Sequence, residues 1–343
     1  MSPRSNLLFC SALLSAVSLQ AISPSCRPLN SFEQGRDLRQ SQMTAGYNAT
    51  ARTDVRGSWD VYTTGGYIFW QPRAENLELG LSNKVNDPVI IDGNSINMNY
   101  RYKSGFKLGL GVFTEQDNWD AYAEYTWLSG HQSVRATAPT NGIINPFWGS
   151  TSADHIISGK SRWKLDLNII DVMLARSYYV GSKLTFRPFF AGRAAWINQK
   201  YIAVYTQSSL VPYQSNYSSH SWGLGPEVGI GSNWLLGYGI RAIGSAEADI
   251  LFTRYNLHTT EETPSDPTQL DTNWRQRRLG CLRPHANIEL GFGWETYFNN
   301  HNYHVDILGT YGFQVFWNQS MFLGHTQGDL YIHGATGEIR FDF

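Results

Sequence analysis

The sequence predicts an all-β protein: a transmembrane antiparallel up-and-down β-barrel of about 14–16 strands, with short periplasmic turns and longer extracellular loops. Composition is the first reason, because charged residues make up 16% of the 343-residue chain, aromatic residues reach 14%, and the mean hydropathy is negative. Period-two alternation of apolar and polar residues is the second reason, and a last strand that ends on phenylalanine is the third. Together they describe strands that are apolar on one face.

The N-terminus has the charge order of a secretory signal. Arg4 precedes an apolar run from Leu7 to Val17, and small residues follow. We predict a signal peptide over residues 1–25, with an approximate cleavage point, a polar lead-in or plug over 26–57, and the barrel over 58–343. An oxidising compartment would permit either a disulfide or two free thiols at Cys26 and Cys281.

Strand-like alternation is clear in the segments 119–127, 285–295 and 303–317. Successive side chains of a strand point to opposite faces, so each segment has one lipid-compatible face and one wet face. A soluble β-sandwich would alternate too, but aromatic residues at both ends of the apolar faces favour a barrel with interfacial girdles. The predicted interface aromatics are Trp119, Trp127, Tyr303 and Trp317.

The last segment alternates and stops on Phe343, with Ile339 and Phe341 on the same face. This pattern resembles the terminal strand that the outer-membrane assembly machinery recognises, and it predicts closure against the first strand with no free edge. Clearly patterned strands are predicted at 59–70, 104–115, 118–128, 162–175, 183–196, 221–231, 236–252, 284–298, 302–317 and 329–343. Weaker strands are predicted near 77–82, 95–103 and 198–206, and extracellular loops at 129–160, 207–220 and 257–280.

A hairpin near the start of the barrel resembles a known family. The segments Gly105–Gly111, Asp117–Asp120 and Glu124–Trp127 are similar to the hallmark hairpin of the major outer membrane protein-like family of Legionella and environmental chlamydiae. The strand Trp59–Trp70 is similar to the family's opening strand, and the resemblance covers much of residues 59–200. It implies an outer-membrane barrel with porin function and supplies no catalytic motif.

Polar-face residues are the candidates for a water-filled lumen, because porins select solutes with inward-pointing charged side chains. Near Asn168–Asp171 the apolar residues change from odd to even positions, which indicates a bulge or an interrupted strand there. Mixed charge signs predict weak ion selectivity, and a salt bridge within the wall is the alternative role for each residue. The predicted pore-lining residues are Lys107, Asp120, Glu124, Lys164, Asp166, Arg187, Arg193, Glu289, Glu295, Asp306, Arg340 and Asp342.

The first functional hypothesis is an outer-membrane porin for passive diffusion of small hydrophilic solutes and ions. The alternative is a structural or adhesive surface barrel that acts through its extracellular loops. No enzyme activity and no cofactor are expected, because the common catalytic and nucleotide-binding motifs are absent. No metal site is expected either, because His301 and His304 fall on opposite faces of a strand.

The expected location is the outer membrane of a Gram-negative cell. Expected partners are outer-membrane lipid and lipopolysaccharide, the barrel assembly machinery and small hydrophilic solutes. Nucleic acid is not expected, because the net charge is −1. The sequence leaves a homo-oligomer open. The basic cluster Arg275–Arg278 with Arg283 is predicted to be a solvated loop end, with contact to lipopolysaccharide as the alternative.

Overall fold

The computed structural model describes residues 51–53, 55, 60–85, 92–114, 118–149, 155–209, 212–262 and 270–343. The predicted signal peptide, Cys26 and most of the predicted lead-in lie outside these residues, and Cys281 is a free thiol. The regular structure of the described residues is β-strand. Among the described residues there is no helix of the length and apolar character needed to cross a lipid bilayer.

In the described residues, ten long strands form a closed antiparallel barrel, and four short strands lie beside or within it. The wall strands are β1 (Val61–Ala74), β4 (Lys103–Phe113), β5 (Asp120–Thr137), β7 (Ile156–Ala175), β9 (Leu184–Gln207), β10 (Pro212–Gly237), β11 (Ile240–Glu262), β12 (Leu270–Phe298), β13 (Tyr303–Ser320) and β14 (Gly328–Asp342). The short strands are β2 (Gly80–Asn83), β3 (Gly93–Ser95), β6 (Ile143–Pro146) and β8 (Tyr178–Tyr179).

The barrel closes where β14 pairs with β1. Their ladder runs from Tyr62 opposite Asp342 to Ala74 opposite Leu330, and β14 also pairs with β13. This arrangement confirms the predicted closure of the last strand against the first. It matters in a membrane because hydrocarbon offers no hydrogen-bond partner to an open sheet edge.

The prediction of about 14–16 strands is wrong, because it assumed roughly 18–20 residues for each strand with its connection. Strands β9 to β12 have 24, 26, 23 and 29 residues. The weak segment 198–206 is a continuation of β9. The segment 77–82 contains most of the short strand β2, and the segment 95–103 connects the last residue of β3 to the first residue of β4. Much of the predicted loops 129–160, 207–220 and 257–280 is likewise strand.

The outer wall carries the apolar side chains that the alternation predicts. On β12, Leu282, Leu290 and Phe292 are 67%, 65% and 65% exposed, which suits contact with lipid hydrocarbon. All four predicted interface aromatics lie on this outer face. Trp119 and Trp317 are exposed, Trp127 stacks on Phe106 with ring centroids 5.4 Å apart, and Tyr303 stacks on Phe341 at 5.7 Å.

The upper end of the barrel, opposite the C-terminus, is filled by a small sheet that we call the plug. It consists of β2, β3 and β6, which belong to the connections β1–β4 and β5–β7. The hydroxyl of Tyr205, on β9, donates a 2.5 Å hydrogen bond to the Leu79 carbonyl at the start of the plug. The plug therefore contacts the opposite wall and closes the upper lumen.

Trp148 is the central side chain between the plug and the wall. Its ring is 1% exposed and lies 4.0 Å from the ring of Tyr201 and 3.9 Å from that of His325, measured between centroids. Burial lowers the pKa of His325, against the opposing effect of Glu261, so this loop imidazole packs as a neutral ring at neutral pH. An aromatic core thus joins the plug to the loop between β13 and β14.

Replacing Trp148 with alanine should destabilise this end of the barrel. Loss of a fully buried tryptophan leaves a cavity and costs about 3–5 kcal/mol of the free energy of unfolding. The loss can be measured by urea titration of the folded protein. The matched control is Phe147→Ala, because the neighbouring Phe147 ring is 45% exposed. Equal losses in the two variants would contradict a packed aromatic core.

Candidate functional site in the barrel lumen

Most of the predicted pore-lining side chains point into the barrel. They come from alternate positions of β4, β5, β9, β12, β13 and β14, as the alternation of inward and outward side chains requires. Those that face the interior are Lys107, Asp120, Glu124, Arg187, Arg193, Glu289, Glu295, Asp306, Arg340 and Asp342. Their role in permeation stays a prediction, whereas their placement in the lumen is observed.

Lys164 and Asp166 are the exceptions, and their inward placement is a wrong prediction. Both lie on the outer face of β7, where Lys164 Nζ is 2.8 Å from Asp166 Oδ2. Strand β7 has no register shift near Asn168–Asp171, so there is no bulge there. The polarity of the faces reverses instead, because Leu165 and Leu167 point inward to the packed core of the upper lumen, where they are 1% and 0% exposed.

Arg193, on β9, is the centre of the most deeply buried charge cluster. Its Nε is 2.7 Å from Asp171 Oδ1, its Nη1 is 2.6 Å from Asp249 Oδ2, and its Nη2 is 3.1 Å from Glu227 Oε1. His285 Nδ1 also lies 2.6 Å from Asp249 Oδ2. One guanidinium therefore contacts carboxylates from β7, β10 and β11, so the cluster has more acidic than basic groups.

A second cluster surrounds Lys107, on β4. Its Nζ is 3.0 Å from Glu124 Oε1 and 4.0 Å from Glu289 Oε1, which lies across the lumen on β12. The amide of Asn287 donates to both Glu247 Oε1, at 2.9 Å, and Glu289 Oε1, at 3.2 Å. Since Glu247 also pairs with Arg193 at 3.3 Å, the two clusters form one network that crosses the lumen.

Further ion pairs continue toward the lower mouth, where the chain ends. Arg340 Nη2 is 2.6 Å from Asp342 Oδ1, and His304 Nδ1 is 2.8 Å from Asp342 Oδ2. The remaining pairs are Arg187 with Asp120, at 2.6 Å, and Arg241 with both Glu295 and Asp306. Charged side chains thus line the lower lumen from its middle to its mouth.

The sequence analysis missed several inward-facing ionisable residues. Glu247 and Asp249 carried a usable signal, because they alternate with Ala246, Ala248 and Ile250 on β11. Glu227 is less evident, since glycine and proline break the pattern of its strand. The missed residues of the lower lumen are Asp171, Glu227, Arg241, Glu247, Asp249, His285, His304 and Glu338. Glu261 and Arg283, which was predicted to belong to a solvated loop end, are buried as well.

Two cavities follow each other along the lower lumen. The first has a volume of about 280 Å³ and extends from Arg340 up to Trp70 and Gln314. The second has about 220 Å³ and lies at the lower mouth, beside Arg52 and Lys183. They share lining residues, Arg187, Arg241 and Asp306 among them, so the two polar cavities are adjacent along the lower lumen. Within the described part of the chain, no three His, Cys, Asp or Glu side chains are arranged to hold a metal ion.

A closed barrel with an apolar outer band and a charged interior defines an outer-membrane type of β-barrel. The family model of the Legionella pneumophila major outer membrane protein precursor matches residues 53–340. The chain therefore belongs to that outer membrane protein family, as the hairpin resemblance predicted. No curated protein sequence matches the chain.

Solved structures with a similar course of the chain are distant in sequence. The outer membrane protease OmpT from Escherichia coli is 8% identical, with 85% of this chain and 100% of that chain covered and a TM-score of 0.42. A FadL homologue from Pseudomonas aeruginosa is 8% identical, with 82% and 89% covered and a TM-score of 0.29. The transport unit of the autotransporter AIDA-I from E. coli is 11% identical, with 91% and 97% covered and a TM-score of 0.31.

Replacing Arg193 with methionine should destabilise the barrel strongly. The change leaves Asp171, Glu227 and Asp249 buried without their counter-ion, which costs about 3–5 kcal/mol of the free energy of unfolding. Adding Glu227→Gln should recover part of this loss, because it removes one of the unpaired charges. Arg278→Met, at an exposed position of β12, is the control in urea titrations. A variant at Arg193 as stable as this control would contradict the network.

Proposed function

We propose that this chain is a narrow outer-membrane porin for small hydrophilic solutes and ions. The observation that carries the proposal is the pair of adjacent polar cavities in the lower lumen, with their charged walls. If the interior only had to maintain the structure of the barrel, apolar side chains could fill it. Charged side chains around a water-sized path are what selective diffusion requires.

The plug limits passage in the proposed mechanism. Trp148, Leu79 and Tyr205 close the lumen above the polar space, so solutes cross when the plug shifts from the wall. The plug belongs to connections between strands, and such a shift leaves the wall ladders intact. We propose no catalytic step, since diffusion through a pore needs none.

The second candidate is a surface barrel that acts through its outer end. The closed upper lumen favours it, as do strands such as β12, which is 29 residues long and continues well above its apolar band. A barrel of this kind would display a binding surface and would not conduct. The two candidates therefore differ in a single electrical measurement.

Export and assembly complete the proposal. The N-terminal segment would direct export, and the barrel assembly machinery would recognise the apolar face of β14. On that face Ile339 is 55% exposed, and Phe341 packs between Tyr303 and Phe343, with ring centroids 5.7 Å from each.

Removal of the plug strands β2 and β3 should raise conductance. We expect small or rare current steps from the refolded mature chain in a planar bilayer. Replacement of residues 79–97 with a short Gly-Ser linker should give larger and longer-lived steps, because it removes β2 and β3 from the upper lumen. The control is the same linker in place of residues 299–302, a turn at the lower end. A folded plug deletion that never conducts would refute the porin and favour the surface barrel.

We expect the pore to prefer cations. This differs from the weak ion selectivity that the mixed charge signs of the predicted pore-lining residues indicate. Around the lumen Lys107, Arg187, Arg193, Arg241 and Arg340 face a larger acidic set, namely Asp120, Glu124, Asp171, Glu227, Glu247, Asp249, Glu289, Glu295, Asp306, Glu338 and Asp342. A surplus of negative charge in a confined path concentrates cations and repels anions.

This preference can be tested by the reversal potential of the plug deletion in a KCl gradient. Glu289→Gln should move the reversal potential toward zero, because it removes a luminal negative charge beside Lys107. Asp166→Asn is the matched control, since it removes a carboxylate from the outer wall. An anion-selective pore, or equal shifts in both variants, would contradict the assignment.

A further inference from the structure

A patch of basic side chains covers one side of the outer wall, above the apolar band. We call it the basic belt, and its members are His131 and Arg135 on β5, Lys160, Arg162 and Lys164 on β7, and Lys200 on β9. All of these side chains are exposed and point away from the lumen. The luminal path does not use them, so they need a separate explanation.

The register of the wall fixes the height of the belt. Trp127, Asn168, Trp196 and Trp222 form one row across β5, β7, β9 and β10, with three tryptophans at the top of the apolar band. His131, Lys164 and Lys200 form a parallel row four residues higher on their strands. Four residues correspond to about 13 Å along a strand and about 10 Å along the axis at a tilt of roughly 40°. The belt therefore lies at the level of the outer lipid headgroups.

Like charges face each other within the belt. Lys164 is the direct cross-strand partner of Lys200, and Arg135 is the direct partner of Lys160. Such pairs destabilise a sheet unless something anionic lies between them. Asp166 neutralises Lys164 in part, at 2.8 Å, but Lys200, Arg162 and Lys160 have no ion pair among the described residues. The arrangement has a cost for the isolated protein that an anionic ligand would remove.

We propose that the basic belt binds the phosphate groups of a phosphorylated lipid of the outer leaflet. Guanidinium and ammonium groups are the side chains that bind phosphate oxygens, and several of them converge here on adjacent strands. The acyl chains of the same lipid lie against Trp196 and the apolar wall below it. The belt thus holds a lipid at both its charged and its apolar end.

The belt occupies one side of the barrel. On the opposite side, around β14 and β1, the outward residues at the upper rim include Glu75 and Asp329, whose carboxylates accept hydrogen bonds from Tyr331 at 2.9 and 3.1 Å. Arg73 is exposed on the same rim, but these two carboxylates offset its charge, so an anionic lipid finds no cluster of cations there. The proposal is therefore a located site on β5, β7 and β9, distinct from a uniform ring of lipid around the wall.

The test uses the refolded full barrel in phosphatidylcholine nanodiscs with added diphosphorylated lipid A, and native mass spectrometry counts the bound lipid. Lys164→Gln/Lys200→Gln should weaken lipid A binding at least about tenfold, because each charge-assisted contact to phosphate contributes about 1.5–3 kcal/mol. The matched control is Arg73→Gln/Lys183→Gln, which removes two exposed cations that lie outside the belt and should leave the affinity unchanged. Dephosphorylated lipid A should bind all three proteins equally weakly.

Thermal unfolding gives a second readout that a merely structural role would not move. In phosphatidylcholine alone the Lys164→Gln/Lys200→Gln variant should be at least as stable as the parent, because a like-charge pair is gone. Lipid A should raise the unfolding temperature of the parent and not that of the variant. Equal affinity in the parent and the variant overturns the proposal. Full competition by inorganic phosphate would also overturn the proposal, because it would indicate a site for small anions. Tighter binding of a soluble sulfated polysaccharide than of lipid A would overturn it as well.

Discussion

The structure depends on one constraint, the satisfaction of every backbone hydrogen-bonding group of a chain that crosses hydrocarbon. An unpaired N–H or C=O costs several kcal/mol there, and no water is present to compensate. The chain meets the constraint with the ladder between β14 and β1, which turns an open sheet into a closed barrel. Once the ladder is closed, each side chain must point either to the lumen or outward, and the remaining organisation follows from that choice.

The meaning of the alternation reverses at the upper tryptophan row. Below it, outward residues such as Ile170 meet lipid and inward residues such as Asp171 meet the polar lumen. Above it, the inward Leu165 and Tyr201 pack into the apolar core, while the outward Lys164 faces the headgroup region. The surroundings change on both sides of the wall at nearly the same height, because lipid gives way to headgroups outside and the lumen gives way to the plug inside.

This reversal explains which predictions the sequence could support. Period-two patterns located the wall well, since each wall strand overlaps one of the clearly patterned spans. The strand number is lower than predicted because the wall strands are longer than a repeat of roughly 18–20 residues allows. Residues 129–137 and 212–220 are polar and resemble loops in sequence, but they remain in the ladder and lengthen the strands. The side of Lys164 was misjudged because the apolar filling of the upper lumen comes from distant segments, Leu79 and Trp148 among them.

The charge network shows the same limit. The alternation of side chains along β9 could assign Arg193 to the lumen. The contacts that Asp171, Glu227 and Asp249 make with it depend on the register of β7, β9, β10 and β11. No spacing in the sequence specifies that register, because it arises from the closed ladder and from turn geometry. Glu247 could have been found from its alternation with alanines, whereas its link to Lys107 through Asn287 and Glu289 could not.

The contrast between the apolar upper lumen and the charged lower lumen indicates why the lower lumen contains charged side chains. Buried ion pairs contribute little net stability relative to well-packed apolar residues of similar size. The same chain fills its upper lumen with apolar side chains, so the fold itself does not require the polar filling below. The charged lower lumen is therefore better explained by access of water and ions than by stability. Closure by strand connections instead of wall residues is consistent with the proposed pore, because a shift of the plug would leave the ladder that the membrane requires intact.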